Sequence, residues 1–253
     1  MTGSEFTRFG ADSVKVLDLG AEVEAVEYIH SEVRAGRRIP LAEVAGVVRA
    51  LAVTIRHEQG IVLPLLDIRT FDEYATSHSC NVAMLSMALS DQMGLPDADM
   101  RAIGAAALLH DIGMTTLPGD LLLKSDSLTP QERLVIETHP VAGARMLTAS
   151  GLGNSLAATV AYEHHIWFAG TGGYPRLTYP REPHVASRIV QVCDIYDAVC
   201  SRRPYRDASS RDRAVDLIKS LAGLEVDPQI SEAFLAMVAG ATEVRHLMGE
   251  PAA

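Results

Sequence analysis

The sequence predicts an all-α protein on three observations. Apolar residues recur at helical spacing through most of the 253 residues, and no stretch alternates with the period of a strand. Ala, Leu and Val dominate a composition that is 48% hydrophobic but only 5% aromatic, which suits close-packed helices better than a β-sandwich. Helix ends are marked by a capping box and by glycine and proline, and no internal repeat is found.

Residues 1 to about 14 are mixed and polar, and are expected to be poorly ordered. A helix is predicted from Val14 to about Val33, broken by Gly36 and Ile39-Pro40, and a second from Leu41 to about Glu58, closing near Gly60. These two helices carry no identifiable chemistry. They are read as an N-terminal helical extension, residues 1–60, that covers the core or serves dimerisation or signal transmission. Residues 61–253 then form the unit that carries the chemistry.

In that unit a helix from about Ala75 to Met93 ends at Gly94 and Pro96. His78, Val82, Leu85 and Leu89 share one of its faces, which turns His78 into the core. The next helix, about Ala98 to Leu109, puts Ile103, Ala106 and His110 together, and Gly104-Ala105-Ala106-Ala107 lets a neighbour approach closely. Thr129-Pro130-Gln131-Glu132 reads as a capping box with Pro at the first helical position, starting a helix that carries His139. A helix from about Leu156 to His165 ends in His164-His165, where the negative end of the helix dipole favours a cation. After the turn Gly170-Thr171-Gly172-Gly173-Tyr174-Pro175, a helix from about His184 to Ser201 sets Asp194 and Asp197 on one face. Two more, near Ser210–Leu221 and Pro228–Val238, complete the chain.

The net charge of -10 and pI near 5.3 argue against binding a polymeric nucleic acid, whose affinity comes from Lys and Arg. A phosphate ester would need positive charge supplied locally, by metals or a few arginines. Cys80, Cys193 and Cys200 form no CxxC pair and no even framework, which suits a reducing cytoplasm. There is neither a signal-peptide pattern nor an apolar run long enough to cross a membrane, so the expected location is cytoplasmic.

Of nine histidines, five fall with two aspartates into one pattern: His78, His110-Asp111, His139, His164-His165 and Asp194. A lone core histidine is more often a satisfied packing residue than a ligand. Five that face the core together are different, because each buried imidazole needs partners for both ring nitrogens and metals satisfy several at once.

The surrounding residues sharpen this pattern. Ala107-Leu108-Leu109-His110-Asp111-Ile112-Gly113 resembles the HD superfamily of metal-dependent phosphohydrolases. Thr138-His139-Pro140, His164-His165, Gly173-Tyr174-Pro175, and Asp194-Ile195-Tyr196-Asp197-Ala198 through Arg203-Pro204-Tyr205-Arg206 are similar to its HD-GYP branch. So are Asp72-Glu73-Tyr74 with His78-Ser79 and Asn81-Val82-Ala83, and Val226-Asp227-Pro228 with Ala233-Phe234. The resemblance spans roughly residues 65 to 240 and implies a helical HD-domain bundle that hydrolyses cyclic di-GMP to pGpG, and on to GMP, with metal-activated water.

It further implies His78, His110, Asp111, His139, His164, His165 and Asp194 as ligands of two metal ions, with Asp111 bridging and His110-Asp111 at the catalytic centre. Fe or Mn suits such oxygen and nitrogen ligation, and Zn remains compatible. Tyr174 would contact substrate, and Arg203 and Arg206 would grip its phosphates. A third ion, held in some members by a Glu one turn before the first His, meets Tyr74 here, with Glu73 one place off. A diguanylate cyclase or other signalling protein, and a second copy of the chain, are the partners such a protein would take.

Three departures from the family pattern bear on activity. Met114 stands where a Lys usually follows the HD aspartate, and a cation near the scissile phosphate is worth a few kcal/mol in the transition state. Ile166 and Ala169 replace a Glu and an Asp after the histidine pair, and the turn holds one extra residue before Tyr174. The alternative to a phosphodiesterase is therefore a hydrolytically weak or inactive receptor or adaptor. A phosphohydrolase acting on another nucleotide is a third reading, against which the Gly-Tyr-Pro turn speaks.

Overall fold

The computed structural model describes residues 19–57, 71–124, 126–153, 155–201 and 211–240. The stretch 1–14, Arg203, Arg206 and the side chains of Glu73 and Tyr74 lie outside the described residues. The all-α expectation is borne out: among the described residues the only β structure is two isolated bridges.

Two N-terminal helices, α1 (Gly20–Arg34) and α2 (Leu41–His57), pack on each other and against the next two, α3 (Phe71–Gln92) and α4 (Asp97–Leu108). Val26, Ile29 and Val33 of α1 and Val44, Val47 and Leu51 of α2 are buried, on the stripe that helical spacing predicts. α3 is the central helix. Every residue from Thr76 to Ser90 is buried, and α1, α2, α4 and two later helices, Val185–Cys200 and Pro228–Gly240, all lie against it. A helix covered all round shows no apolar stripe, and polar groups on it must find partners inside the protein.

α4 approaches α3 closely because Gly104 has no side chain: a Cβ there would meet Met87 Cγ at 2.6 Å. Beyond α4 a 3-10 turn, Ile112–Thr116, leads to α5 (Gly119–Leu122) and α6 (Pro130–Ile136). The capping box is present at α6, where Thr129 Oγ1 accepts from Glu132 N and Glu132 Oε2 accepts from Thr129 N.

One expectation needs correction. The capped helix does not carry His139. It ends at Ile136, and His139 opens a separate helix, α7 (His139–Leu147). The cause is Pro140, whose ring would strike the carbonyl of Ile136 and whose nitrogen has no proton to donate to it. That carbonyl instead accepts from His139 Nδ1 at 2.8 Å.

A π-helical segment, Thr148–Leu152, connects α7 to α8 (Leu156–Glu163); α8 ends at Glu163, and His164 and His165 stand just past its end rather than within it. Residues 165–174 fold into a short hairpin that sequence patterning did not predict. The chain closes with α9 (Val185–Cys200), α10 (Arg211–Leu221) and α11 (Pro228–Gly240). No helix among the described residues is long and apolar enough to cross a membrane.

Candidate metal centre

Five elements bring the seven residues together: the middle of α3, the turn after α4, the first residue of α7, the end of α8 and the middle of α9. Asp111 lies in the turn after α4, held against α7 by a contact of bare backbone. A Cβ on Gly113 would run into the His139 carbonyl oxygen and lie 2.6 Å from Gly143 N.

The histidine tautomers follow from their partners. Nδ1 of His110 donates to Ala107 O at 2.7 Å, and that of His139 to Ile136 O. His164 Nδ1 donates to Val160 O and Ala161 O, both at 3.1 Å. A carbonyl cannot donate, so each Nδ1 carries a proton, and whenever the ring is neutral its Nε2 presents a lone pair. His78 Nδ1 faces Asp197 Oδ2 at 2.7 Å, which sets the same tautomer.

These lone pairs converge. His139 Nε2 and His164 Nε2 are 3.2 Å apart and lie 3.1 and 3.4 Å from Asp111 Oδ1. His78 Nε2 lies 3.2 Å from Asp194 Oδ1 and 4.0 Å from Asp111 Oδ2, while His110 Nε2 is 3.6 Å from the same Asp111 oxygen. Buried His110 Nε2 and Asp111 Oδ1 make no hydrogen bond. Acceptors facing acceptors in a dry interior repel unless a cation lies among them.

Two groups could hold ions: Asp111, His139, His164 and His165, and His78, His110 and Asp111. They share Asp111, and Asp194 flanks the second through His78. The chemistry of the donors therefore fits metal ions.

The charges agree. Burial pulls His110 down to about 4, so it is neutral at pH 7, and burial together with His164 holds His165 well below its ordinary value. Burial opposes the ionised form of Asp111 and Asp194, yet the surrounding imidazoles outweigh it and keep both carboxyls low. His139 moves the other way, because the Asp111 carboxylate more than offsets its burial. Thiolates are not on offer: burial pushes the Cys80 and Cys193 thiols up to about 12 and Cys200 up to about 11. Nitrogen and oxygen ligation without sulfur suits Fe, Mn or Zn.

Tyr174 closes one side, its ring 4.5 Å from His165 and 6.0 Å from His139. Burial and then the Asp111 and Asp194 charges raise its phenol, which stays protonated and able to donate. Met114 is half-buried in the turn, Ile166 is buried, and Ala169 is exposed on the hairpin with its N–H bonded to Leu224 O at 3.1 Å.

Two further residues of the site lie outside the His and Asp pattern. Asp197 orients His78 and is itself held by Asn81 Nδ2 at 2.8 Å and Ser201 Oγ at 2.9 Å. Its signal was present in the sequence, one helical turn after Asp194 on the same face. Glu163, buried at the end of α8, accepts from Arg181, from His184 N and from Ser187 Oγ, tying the histidine pair to the start of α9. Nothing in its local sequence marks it.

Comparison with known proteins agrees with this fold. The HD domain family model matches residues 63–230. The chain belongs to that family, and the motifs place it in the HD-GYP branch. It is 34% identical over 214 residues to the cyclic di-GMP phosphodiesterase PA4108 of Pseudomonas aeruginosa, covering 85% of this chain and 51% of that protein. It is 37% identical over 171 residues to a cyclic di-GMP phosphodiesterase of Thermotoga maritima, covering 66% and 45%. The chain thus spans about half the length of these relatives. Among solved structures, Bd1817 of Bdellovibrio bacteriovorus, described as an HDG"Y"P protein, superposes with a TM-score of 0.69 at 16% identity, over 92% of this chain and 75% of that one. That likeness bears on the fold alone.

Proposed function

We propose that this protein is a metal-dependent phosphodiesterase that opens cyclic di-GMP, or a related cyclic dinucleotide, to the linear pGpG and then to GMP. The observation that carries this reading is the pair of histidine groups sharing Asp111, with buried Nε2 and carboxylate lone pairs left facing one another. His139, His164 and His165 would hold one ion, His78, His110 and Asp194 the other, and Asp111 both. When bound, two Fe or Mn ions, or Zn, supply Lewis acidity toward the phosphodiester and lower the pKa of water.

The protein's own groups do the rest. Backbone carbonyls and Asp197 keep the imidazoles in one tautomer and orientation before any ligand arrives. Tyr174 offers a phenol proton at the edge of the site. Arg203 and Arg206 are assigned to the phosphates, where guanidinium forks offset the acidity of the chain. Named relatives that act on cyclic di-GMP support the choice of substrate.

The test is elemental analysis of anaerobically purified protein together with turnover of cyclic di-GMP by the Fe- or Mn-loaded form. Linear product, lost in His110→Ala, is expected. Nucleotide binding without product would overturn hydrolysis and leave the second reading, a cyclic di-GMP receptor or adaptor. Met114, Ile166 and Ala169 favour that reading, because they remove a cation and two acids from the environment of the site.

A further inference from the structure

The hairpin after the histidine pair carries a side chain that the metal centre does not use. Tyr174 N donates to His165 O and Trp167 N to Gly172 O, both at 3.2 Å, which sets Ile166 opposite Gly173. In this register His165 pairs with Tyr174, and Trp167 pairs with Gly172. Alternation along the chain places both pairs on one side and Ile166 on the other. The close rings of His165 and Tyr174 and the burial of Ile166 agree. Trp167 therefore shares a side of the hairpin with His165 and Tyr174, about 7 Å along the chain from His165.

Its indole lies on bare backbone. A Cβ at Gly172 would run into the six-membered ring, and one at Gly173 would meet Cδ1 at 3.0 Å. Gly173 also takes a φ of 75°, a conformation that suits glycine. The indole is half-buried, and it is the chain's only tryptophan. A packing residue at this place needs only apolar bulk. A flat aromatic surface beside a phosphodiester site can do more, because a nucleobase lies one sugar away from its phosphate.

We infer that Trp167 is a stacking platform for a purine base of the substrate, an assignment that rests on the cyclic dinucleotide reading above. Stacking tolerates any base, since every base has a π-face. Trp167 thus contributes affinity for the nucleotide and leaves the choice between guanine and adenine to other groups.

The single tryptophan makes the test direct. Emission of the metal-loaded wild type should be quenched by cyclic di-GMP, with the saturation seen by calorimetry, and left unchanged by ribose 5-phosphate. Trp167→Ala should raise KM roughly ten-fold or more while kcat stays within about two-fold, and Trp167→Phe should recover most of the loss. Unchanged emission with dinucleotide bound, or an unchanged KM in Trp167→Ala, overturns the assignment. If Trp167→Ala misfolds or loses metal, wild-type emission and the Phe variant decide. Quenching without hydrolysis would sink the phosphodiesterase reading and leave the stacking role standing; hydrolysis without quenching does the reverse. No binding at all removes both.

Discussion

Replacing Gly113 by Ala should open the seam between Asp111 and His139. Gly113 has no left-handed φ, so alanine meets no backbone strain of its own there. The obstacle is space. The new Cβ would overlap the His139 carbonyl oxygen and lie 2.6 Å from Gly143 N and 2.9 Å from His139 C, all backbone atoms of α7. Ordinary contact begins near 3.4 Å, so the turn and α7 must separate by about 0.8 Å against Gly143 N and by more against the carbonyl.

Overpacking of this kind costs about 1–3 kcal/mol. For a chain of this size that lowers Tm by roughly 3–10 °C. Function should suffer more than stability, because a site tolerates about 0.5 Å of misplacement and about 1 Å can cost a hundred-fold in rate. Metal content by elemental analysis, turnover and thermal unfolding should all fall in Gly113→Ala. Gly143→Ala presses on the same seam more lightly: its Cβ would come 3.2 Å from Gly113 N, only about 0.2 Å inside ordinary contact, and helix propensity favours alanine, so its loss should be clearly smaller than that of Gly113→Ala. A Gly113→Ala protein with wild-type Tm and full metal content would refute the reasoning.

Other perturbations test other parts of the structure. Removing metal with a chelator should cost about 3 kcal/mol of stability for each ion normally present at ~100 times its Kd, so about 5 kcal/mol for two, and an unmoved melting curve would contradict the buried site. Asp197→Asn should weaken metal binding roughly 10- to 100-fold, because His78 loses the carboxylate that sets its tautomer; unchanged affinity by metal titration would count against that role. Met114→Lys should raise turnover at constant metal content, and no gain would shift the bottleneck to the hairpin.

Acid dependence can be read at α6. The Lys124 ammonium, and then Thr129, hold Glu132 down to about 2. A depressed carboxyl stabilises the fold above its unfolded value of ~4.3, and that contribution is lost as pH falls toward the folded value. The Tm gap between wild type and Glu132→Gln should therefore be full near neutral pH and shrink steadily below pH ~4. A gap that persists in acid would mean packing, and not charge, separates the two proteins.

Much of this was legible in one dimension because its causes are local. Helical periodicity, the Thr129–Glu132 capping box and the stop at Gly94 and Pro96 depend on neighbours within a turn or two. The His and Asp pattern was legible for a different reason: so many metal-type donors facing inward leave few other ways to satisfy their ring nitrogens. Pro140 is a helix break that the local pattern does not reveal. The capping signal ahead of it was strong, and a proline near a helix start is common.

What only the tertiary structure decided is how these donors meet. The bond from His78 to Asp197 joins residues 119 positions apart, and the Gly113 contact depends on two backbones approaching where no side chain intervenes. The hairpin that carries Trp167 is fixed by two backbone hydrogen bonds and by the α10–α11 turn, where Phe168 N bonds Glu225 O at 2.8 Å. The sequence by itself determined which atoms can bind a cation. The packing of α3, α4, α7, α8 and α9 determined that their lone pairs face one another, because a ligand set exists only as distances and directions between elements that local propensity leaves free.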